Sequence, residues 1–277
     1  MQGLRTAWML ALLPGCAWAG SVVTTADFGL GSDDNIQVAR NGLPRSAEQF
    51  VQMGLAAALS EPLDAGLSLR VQARLDARVQ AQYQGLNELA GGLEGQLLLR
   101  PGQGFYTPIL GLSMGVGASQ FQSDLRDAQE ARLGLLAREA LTTRLTARSR
   151  LFAVWRGSDS RAFDAHMKGG ELALDWQATP PLTLTLAYQY RDGTVVSIGV
   201  PGASALANTR AVEADDVFAG QSAFSFPAQT HIGLAGANYA ITPSLSLDAQ
   251  LRYVESDTDF GIRYHRWTTI TGLIARF

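Results

Sequence analysis

The chain of 277 residues carries one cysteine, three histidines and, among its 22 basic residues, a single lysine, Lys168. One thiol closes no internal disulfide, so the fold stands without staples. His166, His231 and His265 show no zinc spacing, and no metal or other cofactor is expected. No phosphate loop and no nucleic-acid signature occurs. Beyond residue 20 no run of eighteen apolar residues occurs, which excludes a transmembrane helix. No tract is low-complexity or charge-blocked. The near absence of lysine beside abundant arginine fits a GC-rich coding bias.

The beginning of the chain is MQGLRTAWMLALLPGCAWAG. A basic start at Arg5, an apolar run from Ala7 to Leu13, a break at Pro14-Gly15 and then Ala17-Trp18-Ala19 describe a secretory signal peptide. Cleavage is expected after Ala19, leaving 20–277 as one domain and removing Cys16. A lipoprotein start at Cys16 is the alternative, although Pro14 two residues before the cysteine suits it poorly.

What the remainder has instead is alternation. In LSLRVQARLDARVQAQY (67–83) every odd position is apolar or aromatic and every even position is polar. Side chains on a strand alternate between faces, so this segment has one apolar and one polar face. Segments 181–191, 244–253 and 143–156 behave alike. These strands exceed the usual five or six residues. Aromatics often close their apolar faces: Tyr83, Trp155, Trp176, Tyr188, Tyr190, Tyr253 and Trp267. Aromatics at that position form the girdle of a transmembrane barrel, and a closed barrel is how strands cross a bilayer with every backbone group paired.

The connections alternate as well. Short turns at 61–64, 101–104, 141–143, 179–180 and 242–244 interleave with longer polar loops near 31–47, 84–90, 121–128, 157–166, 193–226 and 255–261. This is the pattern of an all-β, up-and-down antiparallel transmembrane β-barrel with short periplasmic turns and longer outer loops. It predicts about twelve strands, with ten or fourteen as alternatives: 21–30, 48–60, 67–83, 90–100, 105–120, 129–140, 143–156, 166–178, 181–192, 228–241, 244–255 and 262–277. The segment 228–241 alternates poorly and is expected to hold a bulge.

The last residues, WTTITGLIARF, alternate back from Phe277 through Ala275, Leu273, Thr271 and Thr269. A terminal aromatic on an alternating final strand resembles the ending of Gram-negative outer-membrane β-barrels of the small porin-like class. NYAITPSLSLDAQLRY (238–253) is similar to a hairpin phrase of small barrels in that class. The resemblance implies a cell outer-membrane location and contact with lipid and lipopolysaccharide. It also implies recognition of Phe277 by the barrel-assembly machinery.

With the apolar face outward, the polar face lines the lumen. It receives Arg70, Arg74 and Arg78 from one strand and Arg148, Arg150 and Arg156 from another. Arg100, Arg132, Arg138, Arg144, Arg191, Arg252, Arg266 and Arg276 complete the inward set. The inward acids are Asp27, Asp76, Glu94, Glu130, Glu171, Asp175 and Asp248, so arginine dominates about two to one. Rings of arginine set anion preference in pores. The competing reading is an internal network of arginine–carboxylate pairs filling the barrel. Small inward residues (Gly54, Ala56, Ala58; Gly111, Ser113, Gly115, Gly117) leave room for a solute or for the apolar loop 193–226 folded inward. Twelve strands and an arginine-rich wall resemble the porins for acidic oligosaccharides, with no shared motif. The expected function is a channel passing small, anionic solutes. An outer-membrane lipid-modifying enzyme with a site at the outer rim (Ser158, Ser160, Asp164, His166) and a structural or adhesion barrel with a filled lumen are the alternatives. GLSMG (111–115) matches a hydrolase elbow pattern but sits inside a strand, where an elbow cannot form.

Overall fold

The computed structural model describes residues 20–200 and 202–277; the expected signal peptide, with Cys16, lies outside the described residues. The alternating segments become β1 (Ser21–Asp33), β2 (Glu48–Asp64), β3 (Leu67–Gln80), β4 (Glu88–Leu99), β5 (Ile109–Phe121), β6 (Ala128–Ala140), β7 (Leu145–Ser158), β8 (Ala165–Thr179) and β9 (Leu182–Gly199). A short helix α1 (Ala203–Asn208) and a four-residue strand β10 (Ala211–Ala214) follow. Then come β11 (Ser222–Thr242), β12 (Leu245–Thr258) and β13 (Arg263–Arg276). Consecutive long strands pair antiparallel, β9 pairs with β11, and β13 pairs with β1, closing the sheet on itself. Setting β10 aside, the result is a twelve-stranded up-and-down barrel. Closure leaves no edge, which is the condition for strands in hydrocarbon. Phe277 exchanges main-chain hydrogen bonds with Thr24, extending the closing seam.

The outer face carries an apolar band including Leu55, Leu75, Leu93, Leu112, Leu135, Leu151, Leu172 and Leu186, each exposed on the barrel's outside. Tyr188, Tyr253 and Trp267 lie in one cross-strand row through Gly233, with Tyr253 and Trp267 rings 4.6 Å apart. Trp176 and Tyr239 sit near the opposite end of the same wall, so two aromatic levels bracket the apolar band. Tyr83 departs from expectation. β3 ends at Gln80, and Tyr83 turns inward to pack 4.6 Å from Phe218. The expected bulge is present: the β11–β12 register shifts between Ala240 and Thr242.

Connection length does not mark sidedness as sharply as the sequence implied. Nine residues join β4 to β5 on the short-turn side, whereas seven join β3 to β4 on the other. Topology, rather than length, puts the start of β1, the end of β13 and the β2–β3, β4–β5, β6–β7, β8–β9 and β11–β12 connections at one mouth. Three connections at the opposite mouth share one geometry. A 3-10 turn (Gln84–Leu86, Asp124–Arg126, Arg161–Phe163) is followed by Asn87, Asp127 or Asp164. Each of these side chains accepts a hydrogen bond from a residue ending the preceding strand: Gln80 at 2.7 Å, Phe121 at 2.6 Å and Ser158 at 2.7 Å. Asn and Asp close such turns because their short side chains reach nearby main-chain donors.

β9 and β11 exceed their neighbours. β8 pairs with β9 only as far as Gly193, and β12 with β11 only as far as Ala228. Beyond that level β9 and β11 pair with each other to Gly199 and Ser222. Pro227 stands at the departure point and offers no main-chain donor to an outside strand. Gly193 permits the close approach there, since a Cβ would run into the His166 carbonyl.

Candidate channel lumen and its cap

The departing β9–β11 hairpin, with β10 and α1, bends across the mouth opposite Phe277. Its side chains build two apolar clusters among the described residues. Ile198, Phe218 and Ala223 pack with Ala162, Ile36, Tyr83, Leu86 and Phe163 from three other loops at the same mouth. Phe224 and Phe226 pack with Tyr264, Val38, Phe260 and Ile262. The apolar character of 193–226 is thereby explained: these side chains are withdrawn from water under a cap. The main chain ties the cap to the β1–β2 loop, where the Ile198 N–H donates to the Gln37 carbonyl at 2.9 Å and Ser197 Oγ donates to the Val38 carbonyl at 2.8 Å. Buried Asn35 holds that loop, donating to the Ala39 and His265 carbonyls and accepting from the Ala39 N–H.

The far end of the cap is fixed by charge. Arg126, in the β5–β6 connection, donates to Asp215 at 2.5 Å, Asp216 at 2.9 Å and Ser123 Oγ at 2.7 Å, with its guanidinium 4.5 Å from the Phe163 ring centre. The Arg126 and Asp215 side chains are 6% and 0% exposed, so water does not screen this pair. Asp215 also accepts from the Val217 and Phe218 N–H groups at 2.9 and 2.8 Å. Nothing in the sequence pattern singled out Asp215, Asp216 or Arg126 as partners. The register of alternation carries no information about a loop that crosses the barrel.

Inside, the polar face is organised by pairs. Arg74 bridges Asp76 and Asp27, passing over Gly54, where a Cβ would lie 2.5 Å from both the guanidinium and the carboxylate. Arg148 holds Asp175 through two bonds of 2.6 and 3.0 Å. Arg132 pairs with Glu130, and Arg150 reaches over Gly134 to within 3.8 Å of Glu94. Small residues on the wall thus make way for arginine bridges. Among the described residues the remaining expected pore-lining arginines have no carboxylate in direct contact. Arg70 donates to Gln72. Arg78 donates to Gln52 and lies 4.6 Å over Phe50. Arg156 donates to Ser119 and to the Arg126 carbonyl.

The charge balance of the wall differs from the sequence tally. Asp33, Glu48 and Glu88 also belong to the inner face; Asp33 pairs with Arg266 at 3.2 Å and Glu88 faces Arg78 in the β3–β4 ladder. Arg100 and Arg144 lie in turns and Arg276 at the end of β13, all exposed at the rim. The interior is not filled. A cavity of about 200 Å³ lies against Gly92, Gly115 and Gly117 with Arg74, Arg132 and Arg156 on its wall. A second, of about 230 Å³, lies beneath the cap.

The rim set read as a catalytic alternative is not brought together. Ser158 Oγ donates to the Phe163 carbonyl, and Ser160, buried, donates to Glu213 and accepts from the Ala162 N–H. Asp164 closes its 3-10 turn, and His166 sits on the lipid-facing side opposite Trp155. Among the described residues no hydrogen bond joins His166 to either serine, so no base stands ready to activate a hydroxyl.

A closed antiparallel barrel with an apolar, aromatic-girdled outside and a charged inside is a transmembrane β-barrel. Its architecture is shared with a solved outer-membrane channel from Pseudomonas putida F1: TM-score 0.60 at 13% identity, covering 92% of this chain and 95% of that one. The NanC porin aligns over 90% and 98% of the two chains at 8% identity with a TM-score of 0.49. The KdgM porin, solved with disordered oligogalacturonate, aligns over 91% and 99% at 11% identity with a TM-score of 0.47. The chain thus shares the fold of the Pseudomonas putida F1 outer-membrane channel. No protein-family model and no curated sequence matches it.

Proposed function

We propose that the protein is an outer-membrane channel whose arginine-bearing lumen passes small anionic solutes beneath a hinged outer cap. The observation that carries this reading is space beside charge. Two cavities persist inside the barrel; the one beneath the cap is walled by arginines without carboxylates, and the other by arginines and carboxylates together. Among the described residues Arg70, Arg78 and Arg156 make no ion pair; Glu88 stands opposite Arg78, so Arg70 and Arg156 carry the charge most available to a passing anion. In a narrow, low-dielectric passage such charges focus the field.

The second reading is a structural barrel that stays shut, favoured by the cap across the mouth and by the pairs at Arg74, Arg132 and Arg148. Planar-bilayer recording separates the two. Refolded protein in a salt gradient is expected to conduct, with a reversal potential on the anion side. Arg70→Gln with Arg156→Gln, which orphans no acid, is expected to move that potential toward zero. A barrel that never conducts, with or without its cap residues, overturns the channel reading.

A further inference from the structure

The cavity beneath the cap differs chemically from the rest of the lumen. Its floor and wall come from β9, β11, β12 and β13, and its roof from Val195 and Val196 of the cap and Val38 of the β1–β2 loop. Arg191, Arg266 and Arg252 descend this wall on successive inward rows. Arg191 faces Thr230, Val254 faces Arg266, and Arg252 faces Leu234 and Thr268. Their ladder neighbours are uncharged. Arg191 spends its hydrogen bond on Gln189, and Arg266 is held by Asp33. Among the described residues Arg252 has no hydrogen bond and no ion pair, although Arg191, Arg266 and Arg78 all lie within electrostatic reach of it. Arg74, Arg132 and Arg148 each meet a carboxylate directly; of Arg191, Arg252 and Arg266 only Arg266 does, with Glu171 and Glu130 within electrostatic reach of Arg191 but not in contact. Like charges held together with little counter-charge in contact destabilise the fold unless a ligand supplies it.

We propose that this cavity binds a small organic acid: a carboxylate on an apolar body of ring or short-chain size. The charged half of the site is Arg191, Arg252 and Arg266, with Thr230 and Ser256 as neutral polar partners. The other half is apolar, made of Val195, Val196, Ile232 and Val254. Inorganic anions leave that half unused. At about 230 Å³ the cavity falls below the roughly 300 Å³ at which drug-sized pockets begin, so an acidic oligosaccharide does not fit inside it. A guanidinium meets a carboxylate through two parallel hydrogen bonds, the geometry that Arg252 has free. The inference rests on the channel reading, for which it names the class of solute.

The test is equilibrium binding to the refolded full barrel in detergent, which needs no ion flow. Benzoate, inorganic phosphate and benzyl alcohol serve as probes in isothermal titration. Benzoate is expected to saturate one site, with phosphate and benzyl alcohol at least about tenfold weaker, as each lacks one half of the match. Arg252→Gln is expected to weaken benzoate by about tenfold or more, the loss of a charge-assisted hydrogen bond. Lys168→Gln, which removes one positive charge from the outside of the barrel, should leave it unchanged. Arg191→Gln repeats the measurement should Arg252→Gln fail to give the heat-resistant compact barrel. Absence of saturable benzoate binding overturns the inference, as does equal binding of phosphate or benzyl alcohol, or an unaltered affinity in both arginine variants. Benzoate binding to a barrel that does not conduct sinks the channel reading and leaves the site. Anion conductance without benzoate binding does the reverse.

Discussion

Arg126→Met is the perturbation that tests whether the cap is held by charge. It keeps the apolar stem against Phe163 and removes the guanidinium from Asp215, Asp216 and Ser123. Breaking a buried pair by removing one partner costs about 3–5 kcal/mol, because a charge is left without compensation. The lower end applies here, since Asp215 retains the Val217 and Phe218 N–H groups. About 3 kcal/mol corresponds to roughly a hundredfold shift in the ratio of undocked to docked cap. Ser256 lies under the cap, 3% exposed, and reports that ratio. A cysteine placed there should react slowly on whole cells with a maleimide tethered to a polymer too large for the lumen. With Arg126→Met the rate should rise about a hundredfold. Adding Asp215→Asn should recover part of the difference, because the orphaned carboxylate is then neutral and the two sites are coupled. An unchanged labelling rate in Arg126→Met refutes the latch; the apolar clusters alone would then hold the cap.

Orientation predicts that a cysteine at exposed Asp159 reacts with a small impermeant maleimide on whole cells and that one at Ser244 does not; the opposite pattern inverts the barrel. Gly193→Ala sets a Cβ against the His166 carbonyl and should destabilise the barrel by about 1–3 kcal/mol, read as a lower temperature for loss of the compact form on gels. Phe277→Ala leaves the main-chain bonds to Thr24 intact and should still lower outer-membrane insertion while export proceeds; equal insertion would show the terminal aromatic to be incidental.

The sequence by itself determined the barrel. A period of two is a local property, and the bilayer demands one apolar and one polar face from every strand, so LSLRVQARLDARVQAQY declared its own orientation. Counting connections then pointed to about twelve strands, with ten and fourteen left open, and poor alternation in 228–241 marked the bulge after Ala240. The tertiary structure decided what fills the barrel. Arg74 finds Asp27 forty-seven residues away, Arg148 finds Asp175 twenty-seven away, and Arg126 finds Asp215 eighty-nine away. Such pairings depend on the stagger between distant strands and on the path of one loop, and alternation records neither. The same holds for Tyr83 and Asp164. Each is a plausible girdle or site residue by type, yet the first turns under the cap and the second closes a turn, because a loop side chain goes where its main chain is carried.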